Sequence, residues 1–179
     1  MDLKALVSAE HSKKQCLIIA DYIGNNKVRF KKLLQIFADG PYRITQRAAW
    51  PLSVCVERYP NLVAGHFPLL LNMLNREQAH VAVRRNVLRL LRYVSIPDKY
   101  HGDFVDICFR IFQDKKQPIA VQVFAMIILD HITERYPDIK PELISLIEER
   151  LPYASAGFRS RAMKVLKNDR RLRTSLVSR

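Results

Sequence analysis

Three arginines, Arg85, Arg89 and Arg92, stand four and three residues apart, with Tyr93 beside the last. On a helix that spacing puts planar guanidinium forks along one side. Such forks pair with carboxylates or phosphates, and a neighbouring ring can stack on a planar group. Arg47 with Trp50 and Arg161 with Lys164 repeat the arrangement at three-residue spacing. These eight side chains form the candidate binding set, and an acidic protein segment or a nucleic acid would satisfy them equally.

Catalytic and metal-binding patterns are absent from the sequence. The five histidines, His11, His66, His80, His101 and His131, are scattered, with no His-x-x-x-His and no Cys-x-x-Cys, so no metal site is expected. Only five glycines occur, and none falls in a dinucleotide, P-loop or nucleophile-elbow pattern; no cofactor is expected and nucleotide hydrolysis is disfavoured. Asp103/Asp106 and Glu148/Glu149 read as solvated charges or helix-end partners rather than an acid/base couple.

The composition narrows the class further. With 179 residues, 49% apolar and a net charge of +13, the chain is long and apolar enough to bury a core and too apolar for disorder. Charge is segregated: +6 over residues 11–47, +4 over 76–99, −3 over 100–150 and +7 over 159–179. The excess therefore reads as patches, the alternative being cations coating solvated helix faces. Cys16, Cys55 and Cys108 are odd in number and set in apolar stretches, which predicts buried thiols in a reducing compartment. No apolar run approaches the ~20 residues of a membrane span, and no secretion signal is visible. A cytoplasmic protein is the expectation, with the oligomeric state left open.

A repeat shows which elements must position these residues. Glu57-Arg58-Tyr59-Pro60-Asn61 recurs as Glu134-Arg135-Tyr136-Pro137-Asp138, 77 residues later, and Arg92-Tyr93-Val94-Ser95-Ile96-Pro97 is a looser copy midway. In that register helices begin near Ser12, Ile44, Val83, Val121 and Phe158. The fifth residue of each is Cys16, Ala48, Val87, Ala125 and Ala162, and the sixth is Leu17, Ala49, Leu88, Met126 and Met163. Three and four residues past the fifth come Ile19, Pro51, Leu90, Ile128 and Val165, then Ala20, Leu52, Leu91, Leu129 and Leu166. Each segment is thus an amphipathic helix whose stripe needs a cover. Shorter stretches, Val28 to Phe37, Leu62 to Leu74, Phe104 to Phe112 and Pro141 to Leu151, supply it. The unit is a helix pair, and period-2 strand patterning is lacking.

Val83-Arg84-Arg85-Asn86-Val87-Leu88 and Phe158-Arg159-Ser160-Arg161-Ala162-Met163 carry an apolar–Arg–x–x–small pattern that resembles the HEAT-like branch of the armadillo/HEAT helical repeats. The resemblance covers residues from about Asp2 to Lys167. It implies an all-α, right-handed α-solenoid of about five antiparallel helix pairs with the second helices lining a concave side. Residues 1–168 form one such domain in this reading, and 169–179 a mobile basic tail. Pro51, inside a second helix, departs from the pattern and is expected to kink or break it.

Rotation at 100° per residue then places Arg47, Trp50, Arg85, Arg89, Arg92, Tyr93, Arg161 and Lys164 on the concave face. Val123, Phe124 and Ile127 interrupt the basic track, as a docking spot or as covered residues. Trp50 either lines the groove or packs against Pro51 or a neighbouring repeat. The resemblance favours a non-catalytic scaffold or adaptor for an acidic protein segment, and nucleic-acid binding is the alternative. HEAT-like alkylation-repair glycosylases use a concave Trp/Asp constellation, for which Trp50 and Asp130, beside His131, are the available match. It is a poor one, because Val54 stands one turn after Trp50 and Asp130 lies two repeats away.

Overall fold

Helices form where apolar residues recur at three- and four-residue spacing, and their ends fall at residues that satisfy or interrupt the backbone ladder. The computed structural model describes residues 2–76 and 80–177, with residues 169–177 as backbone alone. Among them are ten α-helices joined by short turns, and no strand. The chain divides into two compact units, Met1–Tyr100 and His101–Arg179.

The first unit holds α1 (Leu3–Ala9), α2 (Lys13–Ile23), α3 (Lys27–Asp39), α4 (Tyr42–Arg58), α5 (Phe67–Asn75) and α6 (Val81–Leu91). Asp2, Ser12 and Asn26 cap the first three through side-chain oxygens that accept from the first turn. Gly24 ends α2 at φ +51°, its N–H bonded to the Ala20 carbonyl at 2.9 Å. At Gly40 a Cβ would lie 2.5 Å from the Ile36 carbonyl oxygen, so only glycine permits the close turn into α4. Helix α4 packs on α1, α2, α3 and α6, and α5 packs on α6.

The second unit holds α7 (His101–Gln113), α8 (Ile119–Thr133), α9 (Lys140–Arg150) and α10 (Ala156–Val177). Helix α8 packs on all three others, and α9 also packs on α10. Ten of its fifteen residues are buried, with apolar side chains all round, as a helix enclosed by neighbours requires.

The five helices of the register, α2, α4, α6, α8 and α10, begin within one or two residues of the expected starts. Every fifth-position residue is at most 4% exposed, and both three- and four-residue columns are buried throughout. The sixth column is looser, with Leu17 half-buried and Met163 50% exposed. The repeated Glu-Arg-Tyr-Pro is a helix stop. Tyr59 and Tyr136 adopt nearly the same backbone, φ/ψ −137/74 and −124/77, and each leads into a 3₁₀ turn begun by its proline.

Two expectations need correction. Helix α4 runs through Pro51 unbroken; the buried ring fits the interior, and only one backbone bond is forfeited. The Leu62 to Leu74 stretch is split into a 3₁₀ turn, Pro60–Val63, and α5, because Gly65 at φ +85° turns the chain between them. The backbone of α10 is helical to Val177, and residues 178–179 lie outside the described residues.

Candidate partner-binding surface

The first unit carries 16 Lys and Arg against 7 Asp and Glu, a net +9 of the +13, so its solvent face holds most of the charge available to an anion. Exposed cations lie on α3, at Lys27, Arg29, Lys31 and Lys32, and the candidate arginines of this unit centre on α6. Its N-terminus is capped by His80, whose Nδ1 accepts from the Ala82 N–H at 3.1 Å, while Val87, Leu88, Leu90 and Leu91 fix the buried side. Arg85 is consequently exposed and Arg89 half-exposed, four residues apart on the opposite side. Neither has a hydrogen bond or ion pair among the described residues.

Arg89 also reaches toward α2. Burial pushes the Cys16 thiol up to about 11, and the guanidinia of Arg58 and Arg89 oppose that rise. A residue of α6 thus acts on one of α2, with α4 packed against both helices. All three cysteines are buried and free, and burial pushes Cys55 up to about 12.

The remaining candidates in this unit are partly engaged within the chain. Arg47 donates to the Ser8 carbonyl at the end of α1, satisfying an otherwise orphaned helix-end acceptor. Trp50 is half-buried and meets His11 edge-on at 5.9 Å, rather than standing wholly open or wholly packed. The Arg92 guanidinium lies over the Tyr93 ring, 4.5 Å from its centroid, and donates to its hydroxyl. Asp21, on the matching side of α2, is paired with Arg58 at 2.6 Å. Sequence spacing located these side chains but not the partners that Arg47, Trp50 and Arg92 find close by.

Arg161 and Lys164 lie on α10 of the second unit, Arg161 half-buried and Lys164 exposed. The corresponding side of α8 carries no open basic track: Val123 and Phe124 are half-buried, and Ile127 is 5% exposed. Asp130 does not stand on an open face. It is 4% exposed, and its carboxylate accepts from the Lys140 ammonium of α9 at 2.5 Å, which neutralises it inside the fold. The sequence reading missed Lys140 because an ion pair between helices leaves no periodic trace.

Among the described residues no group of His, Cys, Asp and Glu could hold a metal ion. No described helix is long and apolar enough to cross a membrane. The repeated pairing of helices, the buried columns and the proline stops are those of a helical repeat protein. The family model described as HEAT repeat domain matches residues 3–169, and the chain belongs to that family. Neither a curated protein nor a solved structure matches it.

Proposed function

We propose that this HEAT repeat protein is a non-catalytic scaffold, a right-handed stack of five antiparallel helix pairs, which holds an acidic protein segment on the basic face of its first unit. The observation that carries this reading is Arg85 and Arg89, two guanidinia on the solvent side of α6 with no hydrogen bond or ion pair among the described residues. Arg47, Trp50, Arg92 and Tyr93 flank them as contacts that rearrange toward a ligand, and Arg161 and Lys164 supply a second basic strip. Guanidinium forks favour carboxylates held in bidentate geometry, and the family's helical-repeat architecture suits protein interaction.

Nucleic-acid binding is the second reading, favoured by the stacked Arg92–Tyr93 pair and the half-exposed Trp50. A base-excision role has less support, because Asp130 is buried against Lys140 and belongs to a different unit from Trp50.

Titration with a labelled Asp/Glu-rich peptide and with single-stranded and duplex oligonucleotides, at low and moderate salt, separates the readings. The peptide is expected to bind, and the triple variant Arg85→Glu, Arg89→Glu, Arg92→Glu to lose binding with an unchanged circular dichroism spectrum. If duplex DNA binds instead, contact with about five phosphates gives a log–log salt slope near −4 to −5. A triple variant that binds as wild type would overturn the assignment of the α6 face.

A further inference from the structure

A second place in the molecule has the makings of a binding site, and the repeat pattern gave no hint of it. Within the second unit, a cleft of about 340 Å³ opens between the α7–α8 turn, the end of α9 and the start of α10. That size suits one or two residues of a ligand rather than a helix.

Phe158 lines its floor, with Phe112 stacked against that ring. Phe112 and Phe158 lie parallel at 5.9 Å, both buried, and the Arg150 guanidinium covers the Phe112 ring at 4.7 Å. Arg150 is half-buried, and among the described residues it donates to neutral acceptors alone, Gln122 Oε1 and the Gln113 carbonyl, each at 2.9 Å. Burial disfavours its charge, with nearby Glu149 opposing that effect. Glu149 itself sits at the exposed rim, 3.7 Å from Lys115, so it does not neutralise the fork. A partly desolvated guanidinium that has Glu149 nearby but no carboxylate bonded to it among the described residues leaves a charge that a ligand carboxylate in the cleft can meet. Ile119 and Ser155, at the starts of α8 and α10, line the same space, and the positive ends of those helices add to the field.

The mouth indicates the kind of ligand. Tyr153 is 93% exposed and Ile119 49% exposed, and both line the cleft. A small molecule seated on the floor would leave them in water, whereas a chain passing over the mouth would cover them. We propose that this cleft binds a partner peptide in which an acidic residue neighbours a bulky apolar one. Its carboxylate lies on the Arg150 fork, the apolar side chain on Phe158 and Ile119, and the peptide backbone across Tyr153. The site is independent of the basic α6 face.

The test is a titration of the ¹⁵N-labelled full chain with acetyl-Phe-Glu-amide, followed by amide chemical shifts, with acetyl-Phe-Gln-amide as the charge-free control. Shifts are expected at Ile119, Arg150, Tyr153 and Ser155 but not along α6. The Gln peptide is expected to bind roughly tenfold more weakly, the size of one charge-assisted hydrogen bond. Tyr153→Ala, a change at a side chain too exposed to support the fold, is expected to weaken the Glu peptide severalfold. Arg150→Lys keeps the charge and removes the fork, and it serves if Arg150→Met unfolds the unit. Equal affinity for the two peptides, shifts confined to α6, or no shifts at millimolar peptide would each overturn the proposal.

Discussion

Helices α6 and α8 occupy the same register in successive repeats, and their buried columns match: Val87, Leu90 and Leu91 in one, Ala125, Ile128 and Leu129 in the other. Their opposite sides do not. Where α6 and its C-cap have Arg85, Arg89 and Arg92, α8 has Val123, Ile127 and Asp130, the last two buried. The repeat therefore specifies how helices pack in pairs and leaves the remaining side free to differ. In α6 it carries the exposed Arg85 and the half-buried Arg89, which we propose meet a partner. In α8 it is consumed by the fold, because α7, α9 and α10 all pack on that helix.

The sharpest way to break this contrast is to exchange residues at the shared seventh position. Ile127→Arg would bury a guanidinium with no carboxylate prepared to meet it, and we expect a loss of about 4 kcal/mol or more in urea unfolding. A loss below about 1 kcal/mol would mean that this side of α8 is as open as that of α6.

The buried Asp130–Lys140 pair gives the next effect. Lys140→Met leaves a carboxylate stranded in the interior and should cost roughly 3 kcal/mol, whereas Asp130→Leu combined with Lys140→Met should recover most of that loss. A double variant as unstable as the single one would show that packing, not charge, sets the cost.

Alkaline pH probes the first unit. Burial holds Cys16 at about 11 and Cys55 at about 12, above the ordinary value of 9.0. The unfolded chain releases these protons first, so their contribution to stability is complete below about pH 9 and falls as pH rises through 11 to 12. The urea midpoint should decline over that window, and Cys16→Ala with Cys55→Ala should flatten the decline. An identical slope in the variant would assign the alkaline loss to other groups.

Helical class, register and most of the core were legible in the sequence because burial repeats with the helix and stacking repeats with the chain. Helix α1 escaped notice because its seven residues bury only Leu3 and Val7, too few to establish a period. The candidate surface was less legible. Spacing alone put Arg85, Arg89 and Arg92 on one side, but Arg47 reaches a carbonyl of α1 and Asp130 a lysine of α9. Those contacts join residues 39 and 10 positions apart through tertiary packing, which has no periodic signature. The cleft beside Arg150 was invisible for the same reason, since three helix ends meet to make it.

The smallest expected effect is the reciprocal exchange, Arg89→Ile. Arg89 is half-exposed with no hydrogen-bonded partner among the described residues, so its removal should change stability by no more than about 0.5 kcal/mol. The same variant should weaken an acidic peptide severalfold, because one of the two α6 guanidinia proposed to hold it is gone. Urea unfolding and peptide titration on one preparation measure both quantities. Stability lost together with binding would make Arg89 part of the packing between α6 and α2, as its influence on Cys16 allows, and the open basic side of α6 would shrink to Arg85 and its neighbours. Binding lost alone would separate the two helices as the register comparison does, α8 serving the fold and α6 free to serve a partner.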